Sequence, residues 1–150
     1  MEPILFYGKS RPYFEFSNWY RAKFTLDGKE WPTSEHYFMA MKTLDPGHRE
    51  QIRKAATPAV AKNLAGPGGI IQLRSGWDGM KYNVMYRACL AKFEQNPELS
   101  ALLLSTGDAT IHEDCSDPWW GGGPNYPDGR DMLGRVLVAV RAALRAPSNA

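Results

Sequence analysis

The sequence predicts an α+β fold, a mainly helical compact single domain with a small N-terminal β part. The first thirty residues contain short runs typical of strands, and Asp27-Gly28 favours a hairpin turn between two of them. From Pro32 onwards apolar residues recur at helical spacing, and capping residues followed by proline mark successive helix starts. A length of 150 residues with a hydrophobic fraction of 43% suits one domain, residues 1–150, with a sizeable core.

The β part and the first helix are the elements nearest the N-terminus. Ile4 to Tyr7 is one candidate strand, and Lys23 to Trp31 is expected to form the hairpin. Thr33 is the expected N-cap of the first helix, which we predict to run for about three turns until Asp45-Pro46-Gly47 closes it.

Further helices are expected along the rest of the chain, followed by one long irregular segment. Residues 105 to 131 are rich in Asp, Trp, Gly and Pro, with one possible strand at Thr110 to Glu113, and a loop of this length in a compact domain is usually functional. The last helix is amphipathic and closes the core. The predicted helices cover His48 to Ala56, Thr57 to Gly66, Asp78 to Gln95, Asn96 to Leu104 and Leu133 to Arg145.

The first helix carries the two candidate catalytic residues, Glu35 and Lys42. Seven residues apart, they lie within about 20° of each other around a helix and about 10 Å apart along its axis. Tyr37 to Met41 carry no charged group, so we expect a buried helix whose acid and base are paired, solvated in a cleft or functional. Each has a structural alternative, because the helix dipole favours a first-turn carboxylate and a lysine can extend its amine to solvent.

The functional interpretation of this pair is nucleophilic catalysis. A buried lysine amine can lose its proton near neutral pH and attack an electrophilic carbon, including the C1 aldehyde of an opened ribose, to form a Schiff base. Glu35 would then act as a general base or accept hydrogen bonds from ribose hydroxyls.

Candidate substrate-binding residues lie in three other segments. Trp77 follows a loop, where its ring could stack on a base or pack in the core. Asp117 is a candidate ribose binder, and the Trp pair and glycines that follow it could wall a pocket and let backbone amides approach a ligand. Asn18 could read a base edge or serve a turn. The residues in the late loop are Asp117, Trp119, Trp120 and Gly121.

Composition and missing motifs exclude several classes of function. The formal charge of +2 provides no strong field for a polyanion, and no run is long enough to span a membrane. Cys89 and Cys115 form no CxxC pair, the run from His112 to Asp117 lacks a zinc signature, and P-loop, GxGxxG and GxSxG motifs are absent. We therefore expect an intracellular, cytoplasmic protein that uses no metal and no cofactor; a eukaryotic source would also allow the nucleus.

Five blocks, taken together and in order, resemble the NADAR family, also described as YbiA-like. The resemblance runs from about Phe6 to Leu144, nearly the whole chain. The blocks are Phe16-Ser17-Asn18-Trp19, the stretch from Trp31 to Lys42, the Trp77 junction, Val84 to Phe93, and Asp117-Pro118-Trp119-Trp120-Gly121.

The resemblance implies a ribose-phosphate pocket and N-glycosidase activity. The family's functional Glu falls on Glu35 and its proposed nucleophilic Lys on Lys42. Its pocket Trp falls on Trp77, and the Asp and Trp of its late loop fall on Asp117 and Trp120. Asn18 also matches. The segment from Gly121 to Asp131 is longer than the usual family pattern.

The resemblance also implies two substrate classes. We expect removal of ADP-ribose from ADP-ribosylated guanine in nucleic acid through a lysine Schiff base. The alternative enzyme would hydrolyse phosphoribosylamino-pyrimidine intermediates of riboflavin biosynthesis, a ribosyl-nucleotide small molecule. A third possibility, from another class, is a non-catalytic module that binds ADP-ribose or NAD.

Overall fold

The computed structural model describes residues 1–146, which form helices and two small two-stranded sheets. The strands are β1 (Ile4–Phe6), β2 (Phe24–Leu26), β3 (Lys29–Trp31) and β4 (Ile111–Glu113), and a 3-10 turn covers Phe14–Phe16. The helices are α1 (Ser34–Ala40), α2 (Pro46–Arg53), α3 (Pro58–Ala65), α4 (Trp77–Gln95), α5 (Pro97–Ser105) and α6 (Met132–Arg145). The α+β class predicted from the sequence is confirmed.

By its internal contacts the chain divides into two compact units. The first, here called the central unit, comprises residues 21–92; the second, the terminal unit, comprises residues 1–20 together with the chain from residue 93 onwards. The expectation of one domain stays a prediction.

The hairpin of the central unit forms as predicted. Strands β2 and β3 pair antiparallel, with Phe24 opposite Trp31. Asp27 and Gly28 both have positive φ, 54° and 76°, which is the backbone that a two-residue type I′ turn requires. The turn therefore depends on this Asp-Gly pair.

Helix α1 begins where the sequence predicted but ends earlier. Thr33 is the N-cap, and all seven residues of the helix are buried. The expectation of a three-turn helix reaching Asp45 is wrong in its last part, since the helix ends at Ala40. The physical reason is a tightened turn: the amides of Lys42 and Thr43 donate to carbonyls three residues back, at 3.2 and 3.3 Å.

Asp45 and Pro46 start the next helix instead of closing the first. The Asp45 side chain accepts from the His48 amide at 2.9 Å, so α2 begins at Pro46 instead of His48. The third predicted helix is confirmed, with Thr57 capping α3 through the Val60 amide at 3.1 Å.

In the terminal unit β1 and β4 pair in parallel, with Ile4 opposite Ile111. Helix α6 packs closely on β4, because a Cβ at Gly134 would overlap the carbonyl oxygen of Ile111. Arg141, on this helix, is buried and donates to the Thr106 hydroxyl at 2.8 Å and to the Ala109 carbonyl at 2.9 Å. Within the described residues, no helix is both long enough and apolar enough to cross a bilayer.

Candidate active site

The start of α1 is fixed by hydrogen bonds on both sides of Glu35. The Thr33 Oγ1 accepts from the His36 amide at 3.1 Å and lies 2.7 Å from His36 Nδ1, and His36 Nε2 lies 3.0 Å from the Ala55 carbonyl. A carbonyl can only accept, so Nε2 carries the proton and Nδ1 accepts from the Thr33 hydroxyl. Burial lowers the pKa of His36, which favours this neutral ring. Glu35, 7% exposed, therefore lies on a rigid first turn.

Lys42 lies in the turn after α1 and is half-buried. Its amine is 5.8 Å from the centre of the Phe38 ring, so the side chain leans back over the helix. Burial lowers the pKa of Lys42, and the Glu35 carboxylate opposes this effect, while the charges of Lys62 and Lys81 reinforce it. Glu35 and Lys42 thus interact electrostatically, although the helix ends before Lys42.

Trp77 packs against the ring over which the Lys42 amine lies. It is 6% exposed, and its ring centre is 5.1 Å from that of Phe38 at an interplanar angle of 55°. This contact is core packing, which is one of the two roles that the sequence allowed for Trp77. Its role as a pocket wall stays a prediction.

The central unit contains a polar network that was not predicted from the sequence. The Tyr37 hydroxyl donates to Asp27 Oδ2 at 2.6 Å, while Arg87 donates to Asp27 Oδ1 at 2.7 Å and to the Tyr37 oxygen at 3.1 Å. Burial and the adjacent Asp27 raise the pKa of Tyr37. The usable signal was a tyrosine on a buried helix, whose hydroxyl needs a partner.

In the terminal unit Asp117 organises the late loop. Its Oδ1 accepts from the amides of Trp119 and Trp120, both at 2.9 Å, and the side chain is exposed. The two indole rings are half-buried and meet edge to face at 6.3 Å, and the Arg130 guanidinium lies 5.1 Å from the Trp119 ring centre. The loop therefore presents a carboxylate beside two fixed aromatic rings.

The glycines of this loop allow close contacts between its backbone segments. The Gly121 amide donates to the Asp117 carbonyl at 3.0 Å and the Gly122 amide to the Glu113 carbonyl at 3.1 Å. A Cβ at Gly121 would overlap the carbonyl oxygen of Cys115. Glycine is thus required here by the loop's own backbone, and the approach of a ligand to these amides stays a prediction.

A depression of about 320 Å³ lies beside Asp117. Its other side is lined by the long segment after the glycines, including Asn125 and Tyr126. Asn125 is tied down through its side-chain amide, which donates to Asp114 Oδ1 at 3.1 Å, and Arg11 donates to the other oxygen at 2.8 Å. The longer segment therefore shapes the surface next to Asp117.

Asn18 is the remaining predicted site residue. Asn18 is 8% exposed and follows Ser17, whose hydroxyl accepts from the Trp19 amide at 3.1 Å.

Within residues 1–146 no group of three or more His, Cys, Asp or Glu side chains is placed to hold a metal ion. Burial raises the pKa of Cys115 to about 11, so its thiol stays protonated near neutral pH.

Glu35, Lys42 and Trp77 thus lie in the central unit, and the remaining predicted site residues lie in the terminal unit. The NADAR domain model matches residues 5–145 of the chain. The chain belongs to the NADAR family.

Curated relatives in this family carry the name N-glycosidase. The N-glycosidase YbiA of Escherichia coli (strain K12) is 44% identical over 142 residues, which span 94% of this chain and 88% of that protein. The N-glycosidase Npun_R5314 of Nostoc punctiforme is 36% identical over 146 residues, spanning 95% of this chain and 92% of that protein. These names support a hydrolase of N-glycosyl compounds.

A solved structure extends the similarity to the fold of the NADAR domain. The NMR structure of the E. coli protein YbiA matches with a TM-score of 0.82 at 38% identity, covering 99% of this chain and 92% of that one. The two proteins therefore share their fold over nearly the whole of this chain.

Proposed function

We propose that this protein is an N-glycosidase that cleaves the bond between C1 of a ribose and a nitrogen atom, with Lys42 as nucleophile. The observation that carries the proposal is the half-buried Lys42 amine, whose pKa is lowered by burial and which interacts with the Glu35 carboxylate. An amine must be neutral to attack carbon, and burial raises the neutral fraction.

The first step opens the ribose ring. The bond between C1 and the ring oxygen breaks, the oxygen takes a proton, and the lone pair of the substrate nitrogen forms a double bond to C1. The nitrogen gives up its own proton or carries a positive charge in this open form. Glu35 supports this step by accepting and returning the proton or by orienting the ribose hydroxyls.

The second step transfers the sugar to the enzyme. The Lys42 amine attacks C1, the bond from C1 to the substrate nitrogen breaks, and that nitrogen leaves as an amine after gaining a proton. A Schiff base then joins C1 to Lys42. Water adds to it and releases the sugar as an aldehyde, which regenerates the free lysine.

The loop of the terminal unit is assigned to substrate binding. Asp117 Oδ1 is engaged by the two tryptophan amides, so we assign Oδ2 to a sugar hydroxyl. Trp77 and the aromatic residues of the loop are assigned as walls for the sugar or the base. The proposed binding residues are Asn18, Trp77, Asp117, Trp119, Trp120 and Gly121.

Two substrate classes follow from the proposal. The names of two relatives favour phosphoribosylamino-pyrimidine intermediates of riboflavin biosynthesis. The "Riboflavin biosynthesis protein VVA0006" of Vibrio vulnificus is 36% identical over 99% of this chain, though this region is 41% of that protein. The chloroplastic "Riboflavin biosynthesis protein PYRR" of Zea mays is 36% identical over 76% of this chain and 20% of that protein.

ADP-ribose on guanine is the second class, and the resemblance to the family is its basis. The guanine substituent has the same ribose C1 bonded to nitrogen. The formal charge of +2 favours a base in single-stranded nucleic acid over tight duplex binding.

Reductive trapping tests the proposal. The protein is incubated with each substrate, treated with sodium borohydride to reduce any imine, and examined by intact and peptide mass spectrometry. We expect release of the free amine before quenching and a sugar adduct on Lys42 after it. Lys54→Ala, an exposed lysine of the same unit, is the matched control and should give the same adduct.

The remaining outcomes contradict the proposal. Release without any trapped adduct would move the chemistry from Lys42 to water activated by Glu35. Calorimetric binding of ADP-ribose without turnover of either substrate would instead identify a non-catalytic binding module.

A further inference from the structure

A threonine, a histidine and an aspartate of the terminal unit are joined by hydrogen bonds that the proposed function does not use. Thr110 Oγ1 lies 2.9 Å from His112 Nε2, and Asp131 Oδ2 lies 2.7 Å from His112 Nδ1. We call these three residues the Thr110 triad. A hydroxyl within hydrogen-bond distance of a base, which a third group orients in turn, is the arrangement that activates a nucleophile for attack on carbon.

The hydrogen bonds determine which nitrogen of the neutral His112 ring carries the proton. The Asp131 carboxylate can only accept, so Nδ1 is the donor and holds the proton. Nε2 is then unprotonated and accepts from the Thr110 hydroxyl. A histidine in this form can take the hydroxyl proton as a general base, because the carboxylate stabilises the positive charge that develops on the ring.

Backbone hydrogen bonds hold the three residues of the triad in place. His112 lies in β4 and Thr110 directly precedes this strand, so the two side chains, two positions apart, lie on the same face. The Thr110 carbonyl accepts from the Ile4 amide at 2.8 Å. The Asp131 amide, before the first residue of α6, donates to the Gly121 carbonyl at 2.8 Å. The triad is therefore built on a strand and a helix start.

The base and the acid are enclosed, whereas the hydroxyl is accessible. A Cβ at Gly122 would lie 2.6 Å from the Asp131 Cβ, and one at Gly123 would lie 2.7 Å from the His112 Cγ. The His112 and Asp131 side chains are 14% and 19% exposed, while Thr110 is exposed. Asp131 Oδ1 is buried and has no hydrogen-bond partner within residues 1–146. The hydrogen bond of this carboxylate is thus directed at His112, and a reagent can reach Thr110.

We propose that the Thr110 hydroxyl is an activated nucleophile that accepts the acyl group of a small donor, an ester or mixed anhydride with a good leaving group. His112 Nε2 takes the hydroxyl proton while Thr110 Oγ1 bonds to the acyl carbon. The bond from this carbon to the leaving oxygen then breaks, and the leaving group departs with the proton. The ring is neutral again, and Thr110 carries the acyl group as an ester.

Reaction of the full chain with p-nitrophenyl acetate tests the site. Absorbance follows the release of p-nitrophenol, and peptide mass spectrometry after an acid quench identifies the modified residue. We expect an acetyl group on Thr110. Hydroxylamine should remove it, because hydroxylamine cleaves an ester under conditions that leave acetylated lysine amides intact.

Variants assign the reactivity to the triad. Thr110→Val keeps the shape of the side chain and should abolish the adduct, whereas Thr110→Ser should retain it. Asp131→Asn should slow acetylation about a hundredfold or more, because the ring is then no longer held in the required tautomer. Ser10→Ala removes another exposed hydroxyl of the same unit and should change nothing. Because Thr110 is exposed, its variants answer the question even where Asp131→Asn fails to fold.

The inference stands or falls independently of the proposed N-glycosidase. Thr110→Val should keep the full rate of ribose release, and Lys42→Ala should still acquire the acetyl group on Thr110. Acetylation of lysines alone would overturn the inference, and so would an unchanged rate of p-nitrophenol release in both Thr110→Val and Asp131→Asn.

Discussion

The two units hold their polar candidate residues in opposite ways. In the central unit Glu35 is buried and Lys42 half-buried, and the side chains of Thr33 and His36 fix the start of the helix that carries Glu35. In the terminal unit Asp117 is exposed, and backbone amides fix it. An amine gains reactivity from burial, whereas a group that recognises a substrate must remain accessible. The difference agrees with the proposal, in which the central unit supplies the nucleophile and the terminal unit recognises the substrate.

The largest expected effect comes from removing Lys42, the proposed nucleophile. Lys42→Ala should lower kcat by about a thousandfold or more, and Lys42→Arg by as much, because a guanidinium stays protonated. Single-turnover release of the amine measures the rate, and circular dichroism confirms the fold. Full activity in Lys42→Ala would remove the distinction between the units.

The next effect tests the coupling within the central unit. Glu35→Gln should lower kcat about a hundredfold. If Lys42 is the nucleophile, the rate should rise with pH as its amine loses its proton, and the Glu35 charge raises the pKa of Lys42. Without that charge the amine loses its proton at lower pH, so the rising limb of the kcat profile should move to lower pH. A limb that stays in place would show that the two side chains act independently.

A third prediction concerns the backbone of the terminal unit. Gly121→Ala should destabilise the protein by about 1–3 kcal/mol, because the added Cβ overlaps the carbonyl oxygen of Cys115. Urea unfolding measures the change. Gly8→Ala is the matched control, since a Cβ there meets no atom within 4 Å. Equal stability of the two variants would mean that the loop adapts freely.

The smallest effect separates two roles of Asp117. Asp117→Asn keeps the acceptor for the two tryptophan amides but loses the charge, whereas Asp117→Ala loses both. If Oδ2 binds a sugar hydroxyl, KM should rise about tenfold already in Asp117→Asn, with kcat nearly unchanged. A normal KM in Asp117→Asn together with a raised KM in Asp117→Ala would limit Asp117 to shaping the turn.

Much of the fold could be predicted because turn residues and helix caps act on their neighbours in sequence. Asp27-Gly28 defines the hairpin, and Thr57-Pro58 starts α3, since backbone preference and capping involve neighbouring residues. The end of α1 could not be predicted in this way. Asp45-Pro46 signals a helix start as clearly as a helix end, and only the structure shows that it starts α2.

The sequence suggested residues for the candidate site, but their geometry depends on contacts that the sequence does not reveal. The seven-residue spacing predicted that Glu35 and Lys42 lie on one helix face, but the helix ends at Ala40; the charge of Glu35 still raises the pKa of Lys42. The hydrogen bonds from Arg74 to the carbonyls of Lys42 and Met41 could not be predicted, because they join residues more than thirty positions apart in sequence. Tertiary contacts of this kind leave no periodic pattern.

The bond from the Arg74 amide to the Lys42 carbonyl has a consequence for protein engineering. The lysine occupies a turn that a second, distant segment of the chain completes. Transplanting residues 33–42 alone onto another scaffold would move the acid and leave the amine without its support. A graft that carries the proposed catalytic pair must therefore include the segment leading into α4 as a second piece.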